Sequence, residues 1–345
     1  MKCNCRVLIW ALHLSVFLVP ASSLSSQPTQ HPVQTEDHDK SVDAAHLQNP
    51  VLWHDPGAIS QLDLFYGQGG KEGQPVPPFK FQVEDFHGTN PKFNVRDAHG
   101  DTWRVKLGDE TRPEVAASRL LWAVGYFVNV DYVLASADVE NLQITRGATL
   151  ASEGHIVDAR FERKPDEEKK IGIWRWKDNP FTDTKELNGL RVMMALMNNW
   201  DLKDENNAVL ADKNSGNDLF LTSDIGSAFG TNGLSWSKGR SKGDVETFEK
   251  SRFIMRKTDR TVDFATPAAP SLVEAPNVKQ YEKRRDLEWI GRNIPIADAR
   301  WIGSLLLKLT HEQLVDAFRA GQFTPDEIDR YVRVLESRIH ELAAL

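Results

Sequence analysis

The chain has 345 residues, 40% of them hydrophobic and 26% charged, with a net charge of -7 and two cysteines. That composition belongs to a folded protein of roughly two domains' length and excludes disorder throughout. The acidic balance argues against a nucleic-acid binder. Cys3 and Cys5 both precede an apolar run from Val7 to Val19, so the rest of the chain has no means of forming disulfides or a cysteine zinc site.

Lys2 and Arg6 stand before that run and Pro20-Ala21-Ser22-Ser23 after it, the charged, apolar, small-residue order of a secretory signal. Residues 1–23 are therefore expected to be a cleaved signal peptide. It would export the protein from the cell, to a periplasm or into an organelle lumen; a retained N-terminal anchor is the alternative. Residues 24–78 have a polar, proline-containing composition without sustained periodicity, which predicts a flexible linker. His31, His38, His46 and His54 are irregularly spaced in it and read as solvated side chains rather than ligands.

From Phe79 the pattern becomes strand-like. Phe79, Phe81 and Val83 alternate, Gly88-Thr89-Asn90-Pro91 breaks the run, Phe93 and Val95 follow, and Trp103, Val105 and Leu107 alternate with Arg104 and Lys106. This predicts an antiparallel meander. Thr111-Arg112-Pro113-Glu114 reads as a capping box with proline in the first turn, opening a helix whose face is Ala116, Leu120, Val124 and Phe127. A second helix is expected from Asp183 with Glu186, carrying Leu187, Leu190, Met194 and Met197 as core positions. The C-terminal third reads as helical, with capping signals at Thr310/Gln313 and Thr324-Pro325-Asp326-Glu327. Strands with one helix followed by a mostly helical half suggest an α+β protein in two lobes with a cleft between them.

The stretch after the second helix carries the chemistry. Asn198-Asn199-Trp200-Asp201-Leu202-Lys203-Asp204-Glu205-Asn206 is a polar loop leading into an apolar strand, and a second apolar strand ends in Asp224-Ile225-Gly226. If the two strands form a hairpin, Asn206 and Asp224 meet at one end of it. Two hard oxygen donors so placed suit Mg2+, which keeps water and phosphate in its other positions.

Here the sequence resembles the protein-kinase-like superfamily. Asp201-Leu202-Lys203-Asp204-Glu205-Asn206 is similar to the catalytic loop H-R-D-L-K-P-E-N, Asp224-Ile225-Gly226 to D-F-G, and Trp103-Arg104-Val105-Lys106 to V-A-I-K. The resemblance implies a two-lobed fold, with an N-terminal antiparallel sheet plus helix over residues 79–135 and a mainly helical lobe over 136–345. It implies Mg2+-dependent (or Mn2+-dependent) phosphoryl transfer from ATP to a hydroxyl of a protein, lipid or sugar. Carried over by position, Asp201 takes the acceptor's proton, Lys203 steadies the transferring group, Asn206 and Asp224 hold the metal, and Lys106 pairs with the α and β phosphates.

The pattern departs from typical kinases at several points. Asn199 and Trp200 stand where His and Arg are usual, Arg104 replaces a small residue, and Glu114 follows Lys106 at short spacing. That spacing looks more like atypical groups: type II phosphatidylinositol 4-kinases, HipA-like, CotH-like and secretory-pathway kinases. Gly88 and Thr89 lie where the phosphate-covering loop would be, without its G-x-G-x-x-G, so an ordinary turn competes with that role.

Each remaining residue has a structural reading beside the functional one. Lys106 also fits an exposed strand lysine, Glu114 a cap, and Asp201, Asn206 and Asp224 turn-forming side chains. Between Lys238 and Arg260 there are eight Lys or Arg against four Asp or Glu, an excess that suits an anionic acceptor or a long solvated loop. Two further classes stand against the enzyme. One is an exported, non-catalytic pseudokinase or binding module of the same fold; the other, a metal-dependent hydrolase, gives no account of Lys106.

Overall fold

The computed structural model describes residues 40–88, 90–231, 241–265, 282 and 285–345. The expected signal peptide, both cysteines, the first part of the expected linker and Thr89 lie outside the described residues. Within them, no helix is long and apolar enough to cross a membrane.

The described residues form a mixed α and β structure of thirteen strands and six α-helices. In chain order the first elements are β1 (Pro50–Val51), β2 (Phe79–Asp85), β3 (Lys92–Arg96), β4 (Thr102–Lys106) and helix α1 (Thr111–Ala123). Then come β5 (Asp131–Glu140), β6 (Ala151–Ser152), β7 (His155–Arg163), β8 (Glu168–Gly172) and α2 (Lys185–Leu196). The hairpin β9 (Asn207–Asp212) and β10 (Asn217–Thr222) leads to α3 (Val245–Glu249), β11 (Ile254–Lys257), β12 (Thr261–Phe264) and β13 (Ile294–Pro295). Helices α4 (Ile296–Leu306), α5 (His311–Ala320) and α6 (Pro325–Ala343) complete the chain.

The predicted meander exists, and it is part of something larger. Strands run in the order β4-β3-β2-β5-β7-β6, and a further β4–β7 pairing closes five of them on themselves. Closure follows from alternation: Phe79, Phe93, Val95, Trp103, Val105, Tyr132 and Phe161 turn inward and pack as one buried cluster. The sheet is not purely antiparallel, because β2 runs parallel to β5 at Phe79↔Val139. An N-terminal unit ending at residue 135 would cut β5 in half; the sheet extends to Arg163.

The expected linker is also corrected. Its described part lays Leu52, Ile59 and Leu64 into the main core, where each is at most 2% exposed. Gln313 of α5 donates from Nε2 to the carbonyls of Ile59 (2.7 Å) and Leu62 (2.8 Å), holding that segment in place. At Gly125, with φ +94°, a Cβ would stand 2.2 Å from the His54 carbonyl oxygen, so only glycine lets the two segments approach.

Two of the four expected helix caps are present. Thr310 with Gln313, and Thr324 with Glu327, form complete capping boxes. The cap of α2 is Thr184, which accepts from the Leu187 amide, rather than Asp183. Asp183 instead takes a left-handed conformation, with φ +65°. After residue 241 the expected solvated loop is replaced by α3 and the β11–β12 hairpin, which bury Phe248, Phe253, Val262 and Phe264.

Candidate active site

The outer face of the closed sheet is lined with charge where α1 crosses it. Lys106 on β4 pairs in register with Arg160 on β7, as Val105 does with Phe161. Val105 and Phe161 face the sheet's core, so Lys106 and Arg160 face the other way. Arg160 bridges to Glu114 of α1 and to Glu162, and Arg119 of α1 pairs with Asp131 at 2.9 Å. All six of these charged residues are buried. Buried charges are costly unless paired, and each charge in this layer faces an opposite one, although Arg119 Nε and Arg160 Nε make no hydrogen bond among the described residues.

Lys106 is the hub on the open side of this layer. Its Nζ donates to Glu114 Oε2 (2.8 Å), Glu110 Oε2 (2.9 Å) and Asp224 Oδ1 (3.1 Å). Glu110, Glu114 and Asp224 each present an oxygen within 4.8 Å of the others, and the ammonium is their shared counter-ion. Burial works against the Lys106 charge, but the carboxylates of Glu114 and Asp224 outweigh it and raise its pKa. Burial raises the Glu114 carboxyl to about 7 against the pull of Arg160 and Lys106.

The exposed-lysine reading of Lys106 is thereby excluded, since its side chain is 2% exposed. The capping role expected of Glu114 is corrected. Thr111 donates its hydroxyl to the Gly108 carbonyl (3.0 Å) instead of capping α1, and Glu114 points at Lys106 and Arg160. Glu110 carries no signal in the sequence, because it lies in the β4–α1 connection, where no periodicity assigns it a face.

Strands β9 and β10 form the expected hairpin, with Asn207 opposite Thr222. Just beyond its open end, the Asn206 carbonyl accepts from the amides of Ser223 (2.8 Å) and Asp224 (3.2 Å). Asn206 Nδ2 donates to the Asp201 carbonyl oxygen, which turns the amide oxygen away from that loop. Neither Asn206 Oδ1 nor Asp224 Oδ2 has a protein partner among the described residues. Two hard oxygen donors left open in this way fit Mg2+ or Mn2+.

Lys203 Nζ stands 3.1 Å from Asp201 Oδ2, and the Asp201 amide donates to Asn199 Oδ1 at 3.1 Å. Lys106, Asp224, Asn206 and Asp201 are thus linked by successive direct contacts. Asp204, inside the same motif, serves the fold: its Oδ1 accepts from the Trp176 amide at 3.1 Å.

The departures from the kinase pattern have structural roles. Trp200 donates from its indole to the Ser241 carbonyl (3.1 Å), and Lys242 lies 5.8 Å from the centre of its ring. Lys242 also reaches Glu110 Oε1 at 2.6 Å, so the far end of the segment that begins at Asp224 is tied back to the β4–α1 connection. Gly226 permits this approach, since a Cβ there would stand 2.6 Å from Glu110 Cβ. Arg104 pairs with Asp85 at 3.3 Å. Gly88 sits in the β2–β3 connection with φ +68°. Arg146 holds that connection by donating to the carbonyls of Phe86 (2.7 Å), Gly88 (2.9 Å) and Asn90.

No protein-family model matches the chain, and no curated protein matches it. Among solved structures it is similar to a Helicobacter pylori proinflammatory kinase, at 11% identity over 77% of this chain and 99% of that one, with a TM-score of 0.40. It is also similar to the Golgi casein kinase, at 11% identity over 84% of this chain and 77% of that one, with a TM-score of 0.37. Both neighbours are kinases. At this identity, the roles of individual residues rest on the side chains described above.

Proposed function

We propose that this chain is an atypical kinase-like phosphotransferase, moving the terminal phosphoryl group of ATP to a hydroxyl of a protein, lipid or sugar. The observation that carries the reading is the linkage of Lys106 to Asp224 at 3.1 Å, and of Asp224 through Asn206 to the Asp201 loop. Lys106, from a different part of the chain, contacts Asp224 at the hairpin end that also carries Asn206 and the Asp201 loop, which supports the reading.

In this reading Asp201 accepts the acceptor's hydroxyl proton as its oxygen bonds to the γ-phosphorus, and the bond from that phosphorus to the β–γ bridging oxygen breaks to release ADP. Lys203, beside Asp201, steadies charge on the transferring group. Asn206 and Asp224 would hold the metal, which when bound neutralises phosphate charge. Two lobes, with the nucleotide between the closed sheet and the helical part, belong to the same proposal.

The non-catalytic alternative has two specific observations in its favour. All three ammonium donors of Lys106 are already taken by carboxylates, and Trp200 stands where a catalytic-loop arginine is usual.

Thermal-shift titration with ATP and other nucleotides, in Mg2+ or Mn2+, tests the reading. Stabilisation abolished by Asp224→Ala supports it, and no stabilisation by any nucleotide sinks it. Phosphate incorporation lost on Asp201→Ala but kept on Asp204→Asn separates an enzyme from a binding module.

A further inference from the structure

The strand that neighbours Lys106 carries a cation without a task in the reading above. Lys92 opens β3, directly across from Lys106 on β4 and from Asp85 on β2. Directly opposed residues share a face of a sheet, so both lysines project to the same side. The β2–β3 connection passes over the Lys92 ammonium: a Cβ on Gly88 would stand 3.4 Å from Lys92 Nζ. Arg146 fixes the position of that connection through its carbonyls.

Lys92 is half-buried, yet among the described residues its ammonium makes no hydrogen bond or ion pair. Burial lowers its pKa, the neighbouring Lys106 charge adds to this, and Asp224 opposes it. A desolvated ammonium beside a like charge destabilises the fold unless an anion joins it. Lys106 stands in the opposite condition. An ammonium has three donors, and Glu110, Glu114 and Asp224 take one each.

We propose that Lys92 is the cation that contacts the phosphate chain of the ligand, under the Gly88 turn, while Lys106 organises the surrounding carboxylates. This deepens the phosphotransferase reading and rests on it. It assigns the phosphate contact to a residue that no kinase motif in this sequence marks.

Isothermal titration of the full chain tests it, using ATP and AMP with Mg2+, and Mg2+-free tripolyphosphate, on wild type, Lys92→Met and Lys92→Arg. Lys92→Met should weaken ATP and tripolyphosphate by about tenfold or more, the loss of one charge-assisted contact, and AMP by less than about twofold. Lys92→Arg should keep most of the affinity. The ligand-free melting temperature of Lys92→Met should equal or exceed that of wild type, because a repulsive charge is gone.

Wild-type-like ATP binding by Lys92→Met overturns the assignment and leaves the phosphotransferase reading standing. An equal loss for AMP and ATP overturns it too. Lys92-dependent binding of tripolyphosphate without binding of any nucleotide supports the assignment and removes the kinase reading. Failure of wild type to bind either ligand overturns both.

Discussion

Lys106 and Glu114 are eight positions apart in the chain and 2.8 Å apart in the fold. The short separation works because β4 passes into α1 through a connection that turns at Gly108, with φ +103°, and places the first turn of the helix beside the end of the strand. Glu110, in that connection, is brought to the same ammonium.

Removing the ammonium leaves Asp224 without an ion-pair partner among the described residues, and Glu110 and Glu114 with one cation each, Lys242 and Arg160. Lys106→Met should therefore lower the unfolding free energy by about 3–5 kcal/mol, the cost of breaking a buried charge cluster from one side. Urea denaturation followed by circular dichroism measures this. A loss below about 1 kcal/mol would show that the cluster is not coupled to folding.

The Glu114 carboxyl, raised from 4.5 to about 7, makes stability depend on pH in a defined direction. A raised carboxyl pKa means that the folded state holds the proton more tightly. The stability it contributes is full below the unfolded value of 4.5 and is lost as pH rises to about 7. Relative to Glu114→Gln, wild type should thus lose stability across that window and run parallel to the variant above it. Denaturation curves between pH 4.5 and 8 check this, and parallel curves throughout would refute it.

Gly226→Ala places a methyl group 2.6 Å from Glu110 Cβ and 2.9 Å from its carbonyl oxygen. Since backbone cannot retreat cheaply, the substitution should cost about 1–3 kcal/mol. It should also loosen Glu110 from Lys106 and Lys242. Hydrogen exchange should quicken at residues 108–111 and around Lys242; unchanged exchange there with an unchanged melting temperature would count against the contact.

Arg146→Ala withdraws three hydrogen bonds from the carbonyls of Phe86, Gly88 and Asn90. The connection is exposed, so the effect on global stability should be small, about 1 kcal/mol or less. Amide exchange at Phe86, His87, Gly88 and Asn90 should accelerate by tenfold or more. If Lys92 contacts phosphate beneath that turn, affinity for tripolyphosphate should fall with it.

Much of this arrangement was legible in the sequence where chemistry and periodicity coincide. Two apolar runs with a polar stretch before one and Asp224 after the other are enough to predict a hairpin that joins Asn206 and Asp224. Alternation of Trp103, Val105 and Leu107 finds β4, and Lys106 stands out as the lysine next to them.

The missed features depend on non-local contact. Leu52, Ile59 and Leu64 are too widely spaced in a polar stretch to mark an element, and they join a core built largely from later parts of the chain. Thr111, three residues before Glu114, gives it the local pattern of a cap, which Lys106 and Arg160 override. Lys92 carries no signal at all beyond its charge; only the pairing of β3 with β4 sets it beside Lys106.

The closed sheet also determines what is able to move. Because β4 is hydrogen-bonded to β3 on one side and to β7 on the other, the spacing of Lys92, Lys106 and Arg160 is fixed by strand register. A hinge motion is unable to stretch it. Glu110 and Asp224 hang from connections and meet this rigid rack from outside, so a change of state here would be a change in which tethered carboxylates are docked on the rack. The wall acts as a ruler, and the loops carry the adjustable marks.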